Sequence, residues 1–176
     1  MCVIIDTNVL TSVFITTSKD HSDFEPVYNW IFNGNGKVVW GGSKYFEELK
    51  KHGRYYVKVF ATLQNQRKVY QVSADEVDKT EAKLINDFPD TKINDHHLAA
   101  IVINSKCHIV CTYDNGACSF LKDPSVYPRG INKPKIYKSI HNADLIDDRH
   151  IVKCCKPSEK LSKDDRETLK NALEKI

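Results

Sequence analysis

The chain has 176 residues, of which 41% are hydrophobic and 28% charged. That length buries a genuine core with no need of a disulfide or structural metal, and the composition excludes a disordered chain. No apolar run approaches the roughly 20 residues of a membrane span, and a net charge of +3 is by itself a weak signal.

Residues 2–5 are apolar and β-branched and end at Asp6. They read as a buried strand and not as a signal peptide, because no basic leader precedes them. Phe24, Val27, Tyr28, Ile31 and Phe32 are spaced as on one helix, which Asn33-Gly34-Asn35-Gly36 stops. Residues 37–40 predict a second strand. Gly41-Gly42 breaks it, and Ser43 is placed to cap a helix carrying Glu47, Glu48 and Leu49. Residues 55–66 predict another helix and residues 69–72 a third strand. Ser73 is placed to cap a helix from Ala74 to about Asn86, with Glu76 as its capping-box partner.

Phe88-Pro89-Asp90 predicts a loop. Asp95 opens a helix whose buried side carries Leu98, Ala99, Ile101 and Val102. Residues 107–112 predict a fourth strand leading to Asp114, and residues 115–121 a short helix. Residues 123–134 hold three prolines and a glycine and read as a loop. A fifth strand follows at 135–139 and a short helix near 142–148. Strands alternating with helices predict an α/β fold, a central parallel sheet covered on both faces.

Residues 1–150 are assigned to this domain and residues 151–176 to a C-terminal extension. In the extension, Ser162 and Asp165 mark the start of a helix through Ile176 with a narrow stripe of Leu169, Ala172, Leu173 and Ile176. The stripe fits packing on the chain's own domain or a contact with a partner. None of the six cysteines forms a C-x-x-C pair, so free thiols in a reducing cytoplasm are expected. Cys107 and Cys111 read as small buried hydrophobes in preference to zinc ligands with His108.

Three acids fall where a parallel α/β fold places its chemistry. Asp6 ends the first strand, Asp114 follows the fourth, and Asp95 opens the helix leading into the fourth. The carboxyl ends of adjacent parallel strands share one crevice, where ligands bind. Glu48 follows the second strand and could reach the same mouth, with Glu47 as its competitor. Gathered carboxylates repel one another, and a divalent cation removes the repulsion. Oxygen-only ligands select Mg²⁺ or Mn²⁺ over zinc, and such ions activate water against a phosphodiester. Each acid also has a plain role: Asp6, Asp95 and Asp114 as cap or turn residues, Glu48 as a solvated helix residue.

Val3-Ile4-Ile5-Asp6-Thr7-Asn8-Val9-Leu10 resembles the opening strand of PIN-domain nucleases, including VapC-type toxins. Glu48-Leu49 after Ser43, Asn94-Asp95-His96-His97-Leu98-Ala99-Ala100, and Ile109-Val110-Cys111-Thr112-Tyr113-Asp114 resemble their later acidic motifs, in order, over about residues 2–148. The resemblance implies a PIN-like three-layer α/β/α fold and Mg²⁺- or Mn²⁺-dependent endonuclease cleavage of RNA. Asp6, Glu48, Asp95 and Asp114 would hold one or two ions, with Thr7, Asn8 and Thr112 in support. Some family members carry a further acid after the last motif; here Asn115 stands in that stretch. For toxins the resemblance also implies an antitoxin or defence context and often a homodimer. A catalytically idle PIN-like module that binds RNA or scaffolds a complex is the second reading, and retention of all four acids argues against it. An aspartyl phosphatase is disfavoured because Asn8 stands where its second acid belongs.

With the four site acids set aside, 26 basic residues face 19 acids, a surplus that suits a polyanion. Lys50, Lys51, His52 and Arg54 follow Glu48 and are candidates for holding RNA phosphates. Arg67-Lys68 and the group Arg129, Lys133, Lys135 and Lys138 add positive charge. Tyr55, Tyr56 and Tyr113 are candidates for base stacking. Of His96 and His97, consecutive on a helix, at most one faces the site.

Overall fold

A computed structural model describes residues 2–89, 94–148 and 152–174. Its strands are β1 (Cys2–Ile5), β2 (Lys37–Gly41), β3 (Val69–Val72), β4 (Ile109–Cys111) and β5 (Lys135–Tyr137). Its α-helices are α1 (Leu10–Phe14), α2 (His21–Phe32), α3 (Ser43–Lys51), α4 (Arg54–Asn65), α5 (Ala74–Asp87), α6 (His96–Ser105), α7 (Asn115–Lys122) and α8 (Lys163–Glu174). The five strands pair in the order β3-β2-β1-β4-β5, every pair parallel. The chain is therefore an α/β protein with an all-parallel central sheet.

Every residue of β1 and of β4 is buried, which requires cover on both faces of the sheet and explains their unbroken apolar runs. From β1 the chain moves outward through β2 to β3, then returns to lay β4 on the other side of β1. The carboxyl ends of β1 and β4 therefore flank the point where winding reverses, the usual crevice for ligands in open sheets.

Several predicted termini differ in mechanism. Ser43 does not cap α3; it is the first helical residue. Gly42 precedes it at φ +83, where an added Cβ would stand 2.6 Å from Val77 Cγ1, so the turn needs glycine. The cap comes from α5: Asp78 accepts from Ser43 N at 2.7 Å and from Ser43 Oγ at 2.6 Å. Asp78→Ala is expected to cost about 1 kcal/mol, the usual worth of an N-cap, measured by denaturant unfolding. The capping box expected of Ser73 and Glu76 is not made, since Ser73 forms no side-chain cap bond. The short helix near 142–148 is a 3-10 segment, Ile140–Leu145, and the loop after α7 begins with a 3-10 turn at Pro124–Val126.

The extension packs on its own domain. Leu169 is fully buried, and Lys68 Nζ ties the extension to the turn before β2, donating to Glu159 O and Gly34 O. The expected α8 cap is present, with Asp165 N donating to Ser162 Oγ at 3.0 Å. Ser162→Ala is expected to fray this helix and cost about 1 kcal/mol, read as faster amide exchange in α8. Ile176 of the expected apolar stripe and Asp90 of the expected loop lie outside the described residues.

The expectation of six free thiols is corrected: Cys2 and Cys155 form a disulfide, Cα–Cα 6.4 Å, across 153 positions of sequence. Spacing could not show a pair made by the extension folding back on the start of β1. Cys107 and Cys111 are fully buried free cysteines, as expected.

Candidate functional site

The end of β1 supplies the first acid. Asp6 N donates to Cys111 O at 2.9 Å, continuing the β1–β4 pairing, and its side chain turns into the crevice 3% exposed. Asp6 Oδ2 accepts from Thr112 Oγ1 at 2.6 Å and from Asn8 Nδ2 at 2.8 Å. Thr112 Oγ1 in turn accepts from Asp114 N at 3.0 Å and Asn8 Nδ2 at 3.2 Å. Thr112 thereby uses its donor and both acceptor positions. Asn8, Thr112 and Asp6 lock the two strand ends together and fix where the carboxylate points.

The second acid is Glu48 and not Glu47. Glu47 is exposed, whereas Glu48 Oε2 accepts from Thr7 Oγ1 at 3.1 Å and lies 3.5 Å from His97 Nε2. Asp95 holds the N-cap position of α6 but makes no side-chain cap bond, and its carboxyl feels the charges of Asp6 and Asp114. Asp114 does cap α7, accepting from Gly116 N at 2.6 Å and Ala117 N at 3.0 Å, both through Oδ1.

The four acids feel one another. Burial raises the Asp6 carboxyl above its ordinary range; hydrogen bonds from Thr112 and Asn8 pull it back, and the charges of Glu48 and Asp114 push it up again. Burial, followed by the charges of Asp6 and Asp114, raises Asp95 to about 6; Lys44 lowers it and Glu48 raises it. Folding therefore brings partly buried carboxylates into range of one another's charge beyond the ends of β1 and β4, an arrangement relieved by a proton or a cation. They are gathered without being closed up. Among the described residues, the group of three or more His, Cys, Asp or Glu ligand atoms all within 4.8 Å of one another is made of cysteines, not of these acids.

Lys44 is the site residue that sequence reasoning missed. It stands on the first turn of α3, donates to Asn94 O and, at 3.1 Å, to Asn94 Oδ1, and lies 3.7 Å from Glu81. Glu81 is a second omission: it is buried, and burial raises its pKa while Lys44 lowers it. A signal existed, because Val77, Glu81 and Leu84 share the buried stripe of α5, where a charged residue needs a partner. Lys50, Lys51 and Arg54, the expected phosphate contacts, are exposed at the far end of α3 and the start of α4. Lys50 Nζ sits 4.7 Å over the Phe46 ring. Asn115 Oδ1 accepts from Lys138 Nζ at 2.6 Å.

Of the paired histidines, His97 faces the site. It is fully buried, and burial, with Lys44 next, pushes its pKa down to about 3. Its ring is neutral at physiological pH, so it is not an imidazolium poised as a general acid. His96 Nε2 instead lies 3.0 Å from Phe88 O, its ring packed edge-on against Phe120. Tyr56 is buried with its hydroxyl 2.6 Å from Thr11 Oγ1, and Tyr55 is half-buried. Tyr113, between Thr112 and Asp114, is the exposed tyrosine of the three and packs edge-on against Phe24.

No family model, curated protein or solved structure matches this chain. Among the described residues no helix is long and apolar enough to cross a membrane.

Proposed function

We propose that the chain is a divalent-metal-dependent ribonuclease of the PIN type, hydrolysing RNA phosphodiesters at the crevice between the carboxyl ends of β1 and β4. The observation that carries this reading is the raising of Asp95 to about 6 by burial and then by the charges of Asp6 and Asp114, beside an Asp6 that is itself raised by burial and by the charges of Glu48 and Asp114. Oxygen-only carboxylate donors that repel one another suit a hard cation, Mg²⁺ or Mn²⁺. Asp6, Glu48, Asp95 and Asp114 are the residues that would hold it. When bound, such an ion supplies an activated water and offsets the negative charge developing on the phosphate.

The chain's own groups do the rest. Thr112 and Asn8 hold the Asp6 carboxylate in one orientation, so little reorganisation is needed when charge builds on the substrate. Thr7 and the neutral His97 flank one oxygen of Glu48. Lys44 adds positive charge at the rim beside Asp95, placed to attract a phosphate flanking the scissile one. Tyr113 offers an exposed ring next to the acids for stacking an unpaired base. Tyr113→Ala is expected to weaken binding of single-stranded RNA by about 1 kcal/mol, near the low end for one stacked base, measured by fluorescence anisotropy in the presence of Ca²⁺.

The test is incubation with labelled single-stranded RNA and Mn²⁺ or Mg²⁺. Internal cleavage that a chelator stops and fresh metal restores is the expected result. RNA binding without cleavage under any divalent ion would favour an idle RNA-binding module instead. Turnover of a small phosphomonoester, with RNA left intact, would point to phosphatase chemistry.

A further inference from the structure

At the opposite end of the sheet from the acids lies a second group of metal-competent side chains. The Cys2, Cys154 and Cys155 sulfurs all lie within 4.8 Å of one another. Cys2 begins β1, and the other two sit on the 3-10 turn Lys153–Cys155 of the extension. A disulfide joins Cys2 and Cys155, and the third sulfur, Cys154 Sγ, donates to Ser105 O at 3.3 Å. Cys154 Sγ stands 3.7 Å from Cys155 Sγ, close to the roughly 3.8 Å edge of a tetrahedron with Zn–S bonds of about 2.3 Å. Cys154 is half-buried and borders a cavity of about 650 Å³ shared with Asn104, Ser105, Lys106 and His108. That opening leaves room for a water as fourth ligand. Burial raises the Cys154 thiol above its ordinary range, and the charge of Lys37 works the other way and would offset the net negative charge of three thiolates around a dication.

We propose that the reduced protein binds one thiophilic cation of the Zn²⁺ class through Cys2, Cys154 and Cys155, at a site separate from the acidic crevice. The disulfide and the cation are alternative clamps between the extension and the start of β1. A dithiol reductant gives two electrons and two protons, the Cys2–Cys155 bond breaks to two thiols, and the reductant leaves as its own disulfide. The incoming cation then displaces the protons of three thiols. Cys107 is not a ligand in this scheme: its thiol donates to Cys2 O at 3.2 Å.

The experiment uses the full chain, reduced with a dithiol, freed of reductant under inert gas, and titrated with Co²⁺. One equivalent is expected to give a thiolate-to-cobalt charge-transfer band that Zn²⁺ bleaches, with Cys2, Cys154 and Cys155 protected from alkylation. Cys154→Ser is expected to weaken Co²⁺ binding at least about 100-fold, since loss of an outer-shell partner alone costs roughly 10–100-fold. This variant leaves the disulfide pair intact, and circular dichroism verifies its fold. Cys118→Ser should give the wild-type thiolate-to-cobalt band, which ties the band to these three sulfurs. Absence of the band in folded, fully reduced protein would overturn the proposal, as would undiminished binding by Cys154→Ser.

Discussion

Asp6→Asn should lower metal-dependent RNA cleavage by about 10³-fold or more, roughly 4 kcal/mol of transition-state stabilisation. The size follows from the position. Asp6 is 3% exposed at the winding reversal, its Oδ2 fixed by Thr112 at 2.6 Å and Asn8 at 2.8 Å, so no other carboxylate can move in to replace it. The amide keeps the shape of the side chain but carries no charge, and its NH₂ end has donors where the carboxylate had acceptors to offer. A modest loss of stability can accompany the substitution, so the rate is compared for folded protein at saturating Mn²⁺. Asp114→Asn should produce a loss of similar order through the partner strand. Wild-type rates in both variants would remove the nuclease reading, because the proposed chemistry has no other charged groups at the ends of β1 and β4.

The second large effect concerns stability and holds whether or not RNA is the substrate. The Asp95 carboxyl has an ordinary pKa of 3.8 and rises to about 6 in the folded chain, so the folded state holds this proton more tightly than the unfolded one. Its contribution to stability is therefore greatest below pH 4, declines as the pH rises from about 4 to about 6, and is lost above that. A shift of about two pH units corresponds to roughly 3 kcal/mol; partial solvent screening of this partly exposed group reduces that to about 2 kcal/mol. Asp95→Asn should consequently melt about 4–8 °C above the wild type at pH 7.5 without divalent ions, and the difference should vanish near pH 4. Added Mg²⁺ or Mn²⁺ should raise the wild-type melting temperature and narrow the gap. Equal melting temperatures at pH 7.5, with and without metal, would show that Asp95 is not held in a repulsive cluster.

The same substitutions separate the two roles that acids play in this crevice. Asp114 caps α7 through Oδ1, so its replacement should cost stability as well as activity. Asp95 makes no cap bond, and its replacement should cost activity while raising stability. A gain in stability paired with a loss of function is the signature expected of a residue retained for its chemistry.

Local sequence determined the strands and most of the helices. The runs 2–5, 37–40, 69–72 and 107–112 are mostly apolar or β-branched stretches closed by turn or polar residues, the last of them holding the shorter strand Ile109–Cys111, and such patterns depend on neighbours a few positions away. The placement of Asp6 and Asp114 at strand ends was legible for the same reason. Tertiary structure decided what depends on which elements become neighbours. Glu48 was separated from Glu47 only by the rotation of α3, which carries Glu48 to Thr7 and leaves Glu47 in solvent. Lys44 entered the site because α3 starts beside Asn94, fifty residues on. Asp78 capped a helix in another part of the chain, displacing the local cap expected of Ser43. Cys2 met Cys155 because the extension returns to the start of β1. Periodicity and capping are short-range and can be read along the chain, whereas a contact between distant residues exists only once the packing of the sheet and its helices has brought them together.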